Sequence, residues 1–219
     1  MELTFISHST VELVDFMGGD SRVVEAARVS TKGQKAAEGS EGVGLVKFLL
    51  REKHWSPFQH SVFTFRVHTP IFVTRQLLRH TSSSFSEESG RYRELEPVFY
   101  VPGPDRPVVQ VGKTGEYNFV EDEDSNPNSA AYIRCASRDA WLRYRSMLSD
   151  GIAKEVARMV LPTNIYSSMY ITVNARNLMH MIAVRNDHHA QWETREVAAK
   201  MEEFLADKMP VTFTAFKEA

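Results

Sequence analysis

Apolar residues along this chain recur every three to four positions in some stretches and every second position in others, and the switches between these periods outline its elements. Leu3 to Ile6 reads as a short apolar strand, and Ser21 to Val29 as a helix with Val23, Val24 and Ala27 on one face. After a Gly- and Lys-rich loop, helical spacing returns between Gly42 and Lys53 through Val43, Val46, Leu49 and Leu50. Ser61 to Val67 alternates, with Phe63, Phe65 and Val67 opposite Val62, Thr64 and Arg66, the pattern of a strand with one buried face. Pro70 then opens a helix at a position where its missing N–H is harmless. That helix is expected to carry Arg75 and Arg79 four residues apart, with Gln76 beside Arg79, so that polar heads leave it near its end.

The second half follows the same logic. Between Pro102 and Asn128 the chain is rich in Pro, Gly and acid, and Val108 to Val111 and Tyr117 to Val120 flank Gly112-Lys113-Thr114-Gly115. This predicts an exposed hairpin insertion over residues 103–128. Glu121 to Asp124 reads as a solvated acidic turn, since nothing nearby completes a ligand shell. Ala130 to Leu148 is helical through Ile133, Ala136, Ala140, Trp141, Tyr144, Met147 and Leu148; Ile165 to Val173 is strand-like and Ala175 to Val184 helical. The last helix carries Val197, Ala198, Met201, Phe204 and Leu205 on one stripe. No repeat or linker interrupts the pattern. With 219 residues, 42% of them hydrophobic, the chain supports one sizeable core, so a single domain over 1–219 is expected.

Charge narrows the function classes. A net charge of −2 gives no basic field to draw the chain to nucleic acid, and no apolar run reaches membrane-spanning length. One cysteine and no basic start followed by an apolar run point to a reducing, soluble, cytoplasmic setting. Cys135 falls inside the Ala130–Leu148 pattern, which assigns its thiol to structure rather than to a catalytic loop.

The candidate chemistry sits between Arg79 and Tyr92. Arg79-His80-Thr81-Ser82-Ser83-Ser84-Phe85-Ser86-Glu87-Glu88-Ser89-Gly90-Arg91-Tyr92 gathers guanidiniums, an imidazole, two carboxylates and a run of hydroxyls in a stretch too polar for a core. Arginine's planar fork matches phosphate oxygens two at a time, hydroxyls and backbone N–H groups complete an anion cradle, and a carboxylate orients a sugar hydroxyl or a base edge. A nucleotide phosphate suits this set better than a metal. His54, His60 and His189 are not at ligand spacing on one element, so no metal site is expected.

These residues also resemble a known family. Arg79-His80, with Ser89 at the far end of the loop and Gly90-Arg91-Tyr92 after it, is similar to the signature of the flavin-dependent thymidylate synthases: Arg-His-Arg, seven arbitrary residues, Ser. Four more blocks follow in family order. They are His54-Trp55-Ser56-Pro57-Phe58-Gln59-His60, then Pro70 to Gln76, then Glu155 to Pro162, and finally Asn174 to Met179 continuing to Arg185 and His189-Ala190-Gln191-Trp192-Glu193. Four letters depart: Thr81 stands for arginine, Gln59 for glutamate, Ser86 where asparagine is frequent, and His180 for asparagine.

The resemblance implies an α+β fold with a small mixed sheet and several long helices. It implies reductive methylation of dUMP to dTMP with methylenetetrahydrofolate as carbon donor, FAD as redox carrier and NADPH as reductant. A homotetramer with composite active sites follows from it too. Gln76, Arg79, Glu87, Glu88, Ser89, Gly90, Arg91, Arg158 and Arg185 match dUMP-binding positions, and Arg185 is the catalytic one, placed against the uracil to favour loss of its N3 proton. Ser56, Arg79, His80, Thr81, Asn174, Arg176 and His180 match FAD positions, with Thr81 offering a hydroxyl in place of a charged fork. The reaction would use no cysteine nucleophile. Thr81, Ser86 and His180 leave open a dUMP hydroxymethylase or dCMP methylase on the same scaffold, and a non-catalytic flavin- or nucleotide-binding protein.

Overall fold

The computed structural model describes residues 2–32, 40–113, 116–120, 122 and 124–218. Most of the Gly- and Lys-rich loop, Thr114, Gly115, Glu121 and Glu123 lie outside them. The chain runs β1 (Thr4–Ile6), β2 (Thr10–Met17), α1 (Asp20–Lys32), α2 (Ser40–Arg51), a 3-10 turn (Ser56–His60), β3 (Val62–Pro70), α3 (Ile71–Leu77), β4 (Ser84–Glu87) and β5 (Val98–Tyr100). It continues with β6 (Val109–Lys113), β7 (Glu116–Val120), α4 (Ser125–Ser149), α5 (Lys154–Ala157), a 3-10 turn (Arg158–Val160), β8 (Tyr166–Asn174), α6 (Ala175–Arg185), α7 (Trp192–Lys208) and α8 (Pro210–Glu218). The fold class is α+β. One sheet has the order β2-β3-β8-β4; β1 pairs parallel with β5, Thr4 opposite Val98, and β6 pairs antiparallel with β7, Val109 opposite Val120.

Two compact units are formed, each from three separate stretches: Met1–Ser9, His68–Arg75 and Glu87–Ser168 make the first, and Thr10–Val67, Gln76–Ser86 and Met169–Ala219 the second. In the first, Phe99, Trp141, Tyr144 and Ile165 form the core, with Phe99 and Trp141 edge to face at 6.1 Å. The Tyr144 hydroxyl accepts from Leu95 N at 3.3 Å, and the Asn164 amide donates to Tyr100 O at 2.9 Å, so the polar groups within this core are satisfied.

In the second unit the alternation read from the chain appears directly: Phe63, Phe65 and Val67 of β3 and Met169, Ile171 and Val173 of β8 are buried. Phe16 packs on Phe63 at 4.7 Å and Phe65 on Phe204 of α7 at 5.9 Å. Gly18 follows β2 with φ +102°, and a Cβ there would lie 2.6 Å from Ser61 Oγ and 2.8 Å from Ser61 Cα. Ser61 holds this turn through Gly19 N donating to its Oγ at 3.0 Å, while its carbonyl accepts from Ala175 N at 2.8 Å where α6 begins. Asp20 caps α8 from the far end of the chain, its carboxylate accepting from Val211 N at 2.9 Å and Thr212 N at 2.9 Å.

Three readings are corrected. The helix after Pro70 ends at Leu77, not beyond Arg79, because Arg79 N and His80 N bond back three residues to Gln76 O and Leu77 O and close a tight turn. The polar loop contains a strand, β4, which pairs with β8 at the end of the sheet. The chain does not end with the Val197–Leu205 stripe, since α8 follows at Pro210.

Candidate active site

The expected residues fall into two groups, one in each unit. In the first unit Glu87, Glu88, Gly90 and Arg158 line one pocket of about 440 Å³ together with Leu95, Leu161, Ile165, Thr163 and Ser167. The pocket is the size of a small-molecule site. Gly90 is buried, and a Cβ there would meet Leu95 Cδ1 at 3.2 Å and Arg158 Cδ at 3.3 Å, so its bareness gives Arg158 room to lie against the turn. Ser89 shapes that turn: its carbonyl accepts from Tyr92 N at 3.1 Å and its hydroxyl from Arg91 N at 3.3 Å.

Charge is distributed unevenly here. Arg93 pairs with Glu88 at 3.0 Å and Arg91 with Glu155 at 3.2 Å, whereas Arg158 has no carboxylate partner among the described residues. A lone guanidinium beside two carboxylates suits a ligand with both an anionic end and donor groups. Sequence reasoning missed Thr163 and Ser167, because a single hydroxyl beside a strand carries no pattern of its own.

In the second unit the groups collect at both ends of α6. Asn174 caps the helix, its Oδ1 accepting from Asn177 N at 3.0 Å, which commits the oxygen and leaves the amide N–H groups as its side-chain donors. Asn177 in turn donates to Ser82 O at 3.3 Å and ties the polar loop to α6. At the other end Arg185 Nε donates to His80 Nε2 at 3.0 Å, and His180 stands edge-on to His80 at 5.9 Å. Gln76 donates to Gln191, a partner visible in the sequence only as a letter of the final block. Arg79, Thr81, Arg176 and Ser56 are exposed, and neither Arg79 nor Arg176 has a carboxylate partner among the described residues. Asp187, His188 and His189 form an exposed Asp/His group in which Asp187 accepts from His189 at 2.9 Å.

Burial, with Arg185 and His180 adding to it, pushes His80 down to about 4. The native state thus favours the neutral ring, and on acidification the unfolded chain takes up the proton first. The associated stability is present above pH 6.5, His80's ordinary value, and is lost as pH falls towards 4. Urea unfolding should show a lower midpoint at about pH 5 than at about pH 7, with a smaller difference in His80→Gln.

Comparison with known proteins decides the family. Residues 12–211 match the family profile described as thymidylate synthase complementing protein. A flavin-dependent thymidylate synthase of Streptomyces avermitilis is 45% identical over 227 residues, covering 97% of this chain and 92% of that one. The chain belongs to the flavin-dependent thymidylate synthase family. A relative of that name from Tropheryma whipplei strain TW08/27 is 44% identical and covers 100% of this chain and 96% of its own. Among solved structures, a UMP/dUMP methylase, PolB, from Streptomyces cacaoi bound with 5-Br UMP superposes with a TM-score of 0.94 at 42% identity, covering 100% of this chain and 97% of that one.

Cys135, expected to be structural, is exposed on α4. Cys135→Ala should leave turnover within about threefold of the parent, because such surface substitutions change stability by only ~0.5 kcal/mol. A steady-state assay with matched flavin content checks this.

Proposed function

We infer that this chain converts dUMP to dTMP, with methylenetetrahydrofolate as carbon donor and NADPH as reductant. The observation that carries this is Arg158, a guanidinium without a carboxylate partner, in a pocket shared with Glu87 and Glu88. Putting a methyl group on C5 of the pyrimidine takes a one-carbon unit and two further reducing electrons, and no side chain carries either.

Arg158 holds the phosphate, and Glu87 and Glu88 accept from sugar hydroxyls or base N–H groups. Ser89 and Gly90 set the turn on which this arrangement stands. Arg91 joins the phosphate clamp by exchanging its exposed pairing with Glu155, a bond of little net strength. Arg185, with Gln76 and Arg79, addresses the base, and its permanent charge stabilises the anion left when N3 loses its proton. Cytosine has no N3 proton to lose, so Arg185 favours uracil.

FAD, when bound, supplies the redox chemistry. The donor set fits it: Arg79 and Arg176 have no carboxylate partner among the described residues, Asn174 keeps its amide N–H groups as donors, and Ser56, His80, Thr81 and His180 add a hydroxyl, an imidazole, a second hydroxyl and a second imidazole. Thr81→Arg should tighten FAD binding by about 1 kcal/mol, roughly fivefold, as a charged fork replaces a hydroxyl. Flavin fluorescence quenching measures it, and unchanged affinity would remove Thr81 from the cofactor set. The same reading makes the active form a cytoplasmic homotetramer with composite sites. No helix among the described residues is long and apolar enough to cross a membrane.

Anaerobic incubation of the FAD-loaded protein with NADPH, methylenetetrahydrofolate and dUMP tests the reading, and mass analysis of the nucleotide should show dTMP. A hydroxymethylated product, or product from dCMP alone, would reassign the reaction on this scaffold. A protein that takes up no flavin and forms no product would be a non-catalytic relative. UMP belongs in the same assay as a second substrate, because a UMP/dUMP methylase superposes over the whole chain.

A further inference from the structure

Arg185 ends α6 on a long side chain, and holding such a chain in one rotamer costs conformational entropy. Some neighbour must hold it if it is to meet a pyrimidine in one orientation. Among the described residues Arg185 forms no ion pair, and its head is bonded through the 3.0 Å donation from Nε to His80 Nε2. We propose that His80 is the positioning residue for Arg185, accepting from Nε so that the two terminal nitrogens of the guanidinium are left for the nucleotide. This rests on the nucleotide reading given above.

The choice of acceptor matters chemically. A carboxylate in this place would hold Arg185 as firmly but would neutralise the charge that the developing N3 anion needs. A neutral imidazole fixes direction and leaves the charge undiminished. Accepting at Nε2 puts the ring proton on Nδ1, so the tautomer is set by the bond itself. Nδ1–H then remains as His80's single side-chain donor towards a cofactor.

His80 is itself held in place. Its N–H donates to Leu77 O at 3.0 Å, and its carbonyl accepts from Ser83 N at 3.0 Å. The Asn177 amide bonded to Ser82 O links this turn to the helix that ends in Arg185. Arg185 and His180 are the charged or titratable neighbours that bear on the ring, and with burial they keep it neutral down to about pH 4.

The test reads the ionisation of a bound base. 5-Fluoro-dUMP is titrated on the FAD-loaded protein without folate, and its ¹⁹F shift reports loss of the N3 proton. In the parent, bound 5-fluoro-dUMP should ionise at lower pH than the free nucleotide. His80→Phe should weaken the N3 acidity of the bound base by roughly tenfold, as Arg185→Lys does, and the double variant should show no further loss. His80→Gln, whose amide oxygen can accept from Nε, should restore the N3 acidity that His80→Phe loses. Flavin content, read from the visible band, separates orientation from cofactor loss. A His80→Phe protein with parental N3 acidity, with or without its flavin, overturns the proposal, as does an effect additive with Arg185→Lys. Failure of the parent to bind 5-fluoro-dUMP overturns the nucleotide reading itself and this inference with it.

Discussion

Arg185→Lys lowers turnover by about 10²-fold while weakening dUMP binding by only a few-fold, an effect on the scale of removing one preorganised donor from a developing anion. Lysine keeps the positive charge but has neither the planar fork nor an Nε–H to give to His80 Nε2, so the charge survives and its direction does not. Arg158→Lys gives the opposite division. A phosphate interacts alike in the bound substrate and the transition state, so weakening its clamp raises the concentration of dUMP required and leaves the rate at saturation nearly unchanged. Single-turnover flavin oxidation at saturating dUMP and folate separates the two variants. Parental rates in Arg185→Lys would leave Arg185 as a binding residue only.

The second large effect is on stability and lies far from either group in sequence. Gly18→Ala should destabilise the protein by about 3 kcal/mol, combining about 1–2 kcal/mol for a side chain in the left-handed region with overpacking of a closed contact. The new methyl would lie 2.6 Å from Ser61 Oγ and 2.8 Å from Ser61 Cα, and the backbone partner has no rotamer into which to retreat. For a chain of this length that is a fall in melting temperature of about 10 °C. Because Ser61 also receives Ala175 N, where the helix carrying Arg176, His180 and Arg185 begins, flavin affinity should fall alongside. A calorimetric scan with unchanged melting temperature would show that the turn relaxes at no cost.

Elements with a strong period were legible in the chain. Phe63, Phe65 and Val67 announced β3, and the stripe from Ile133 to Leu148 announced α4, because burial of one face is written in every second or fourth residue. β4 was not legible: Ser84-Phe85-Ser86-Glu87 has one apolar residue, and its place in the sheet comes from backbone bonding, which any residue supplies. β2 was obscured where Val14 and Asp15 are both exposed and break the alternation. In the candidate site, the side chains' identities were legible through the family blocks, but their engagements were not. Arg91 held by Glu155 and Arg185 held by His80 join residues 64 and 105 positions apart, and no local pattern encodes such pairs.

The division of the chain into interleaved stretches has a consequence for its birth on the ribosome. Thr10–Val67 belongs with Met169–Ala219, so its apolar faces wait while the intervening residues are made before these partners emerge. The first unit has all its stretches once Ser168 has left the exit tunnel, and the second only after α8 has emerged as well. The early nascent chain, carrying Phe63 and Phe65 without α7, is therefore the species most in need of a holdase, and slowing elongation would prolong that exposure rather than relieve it.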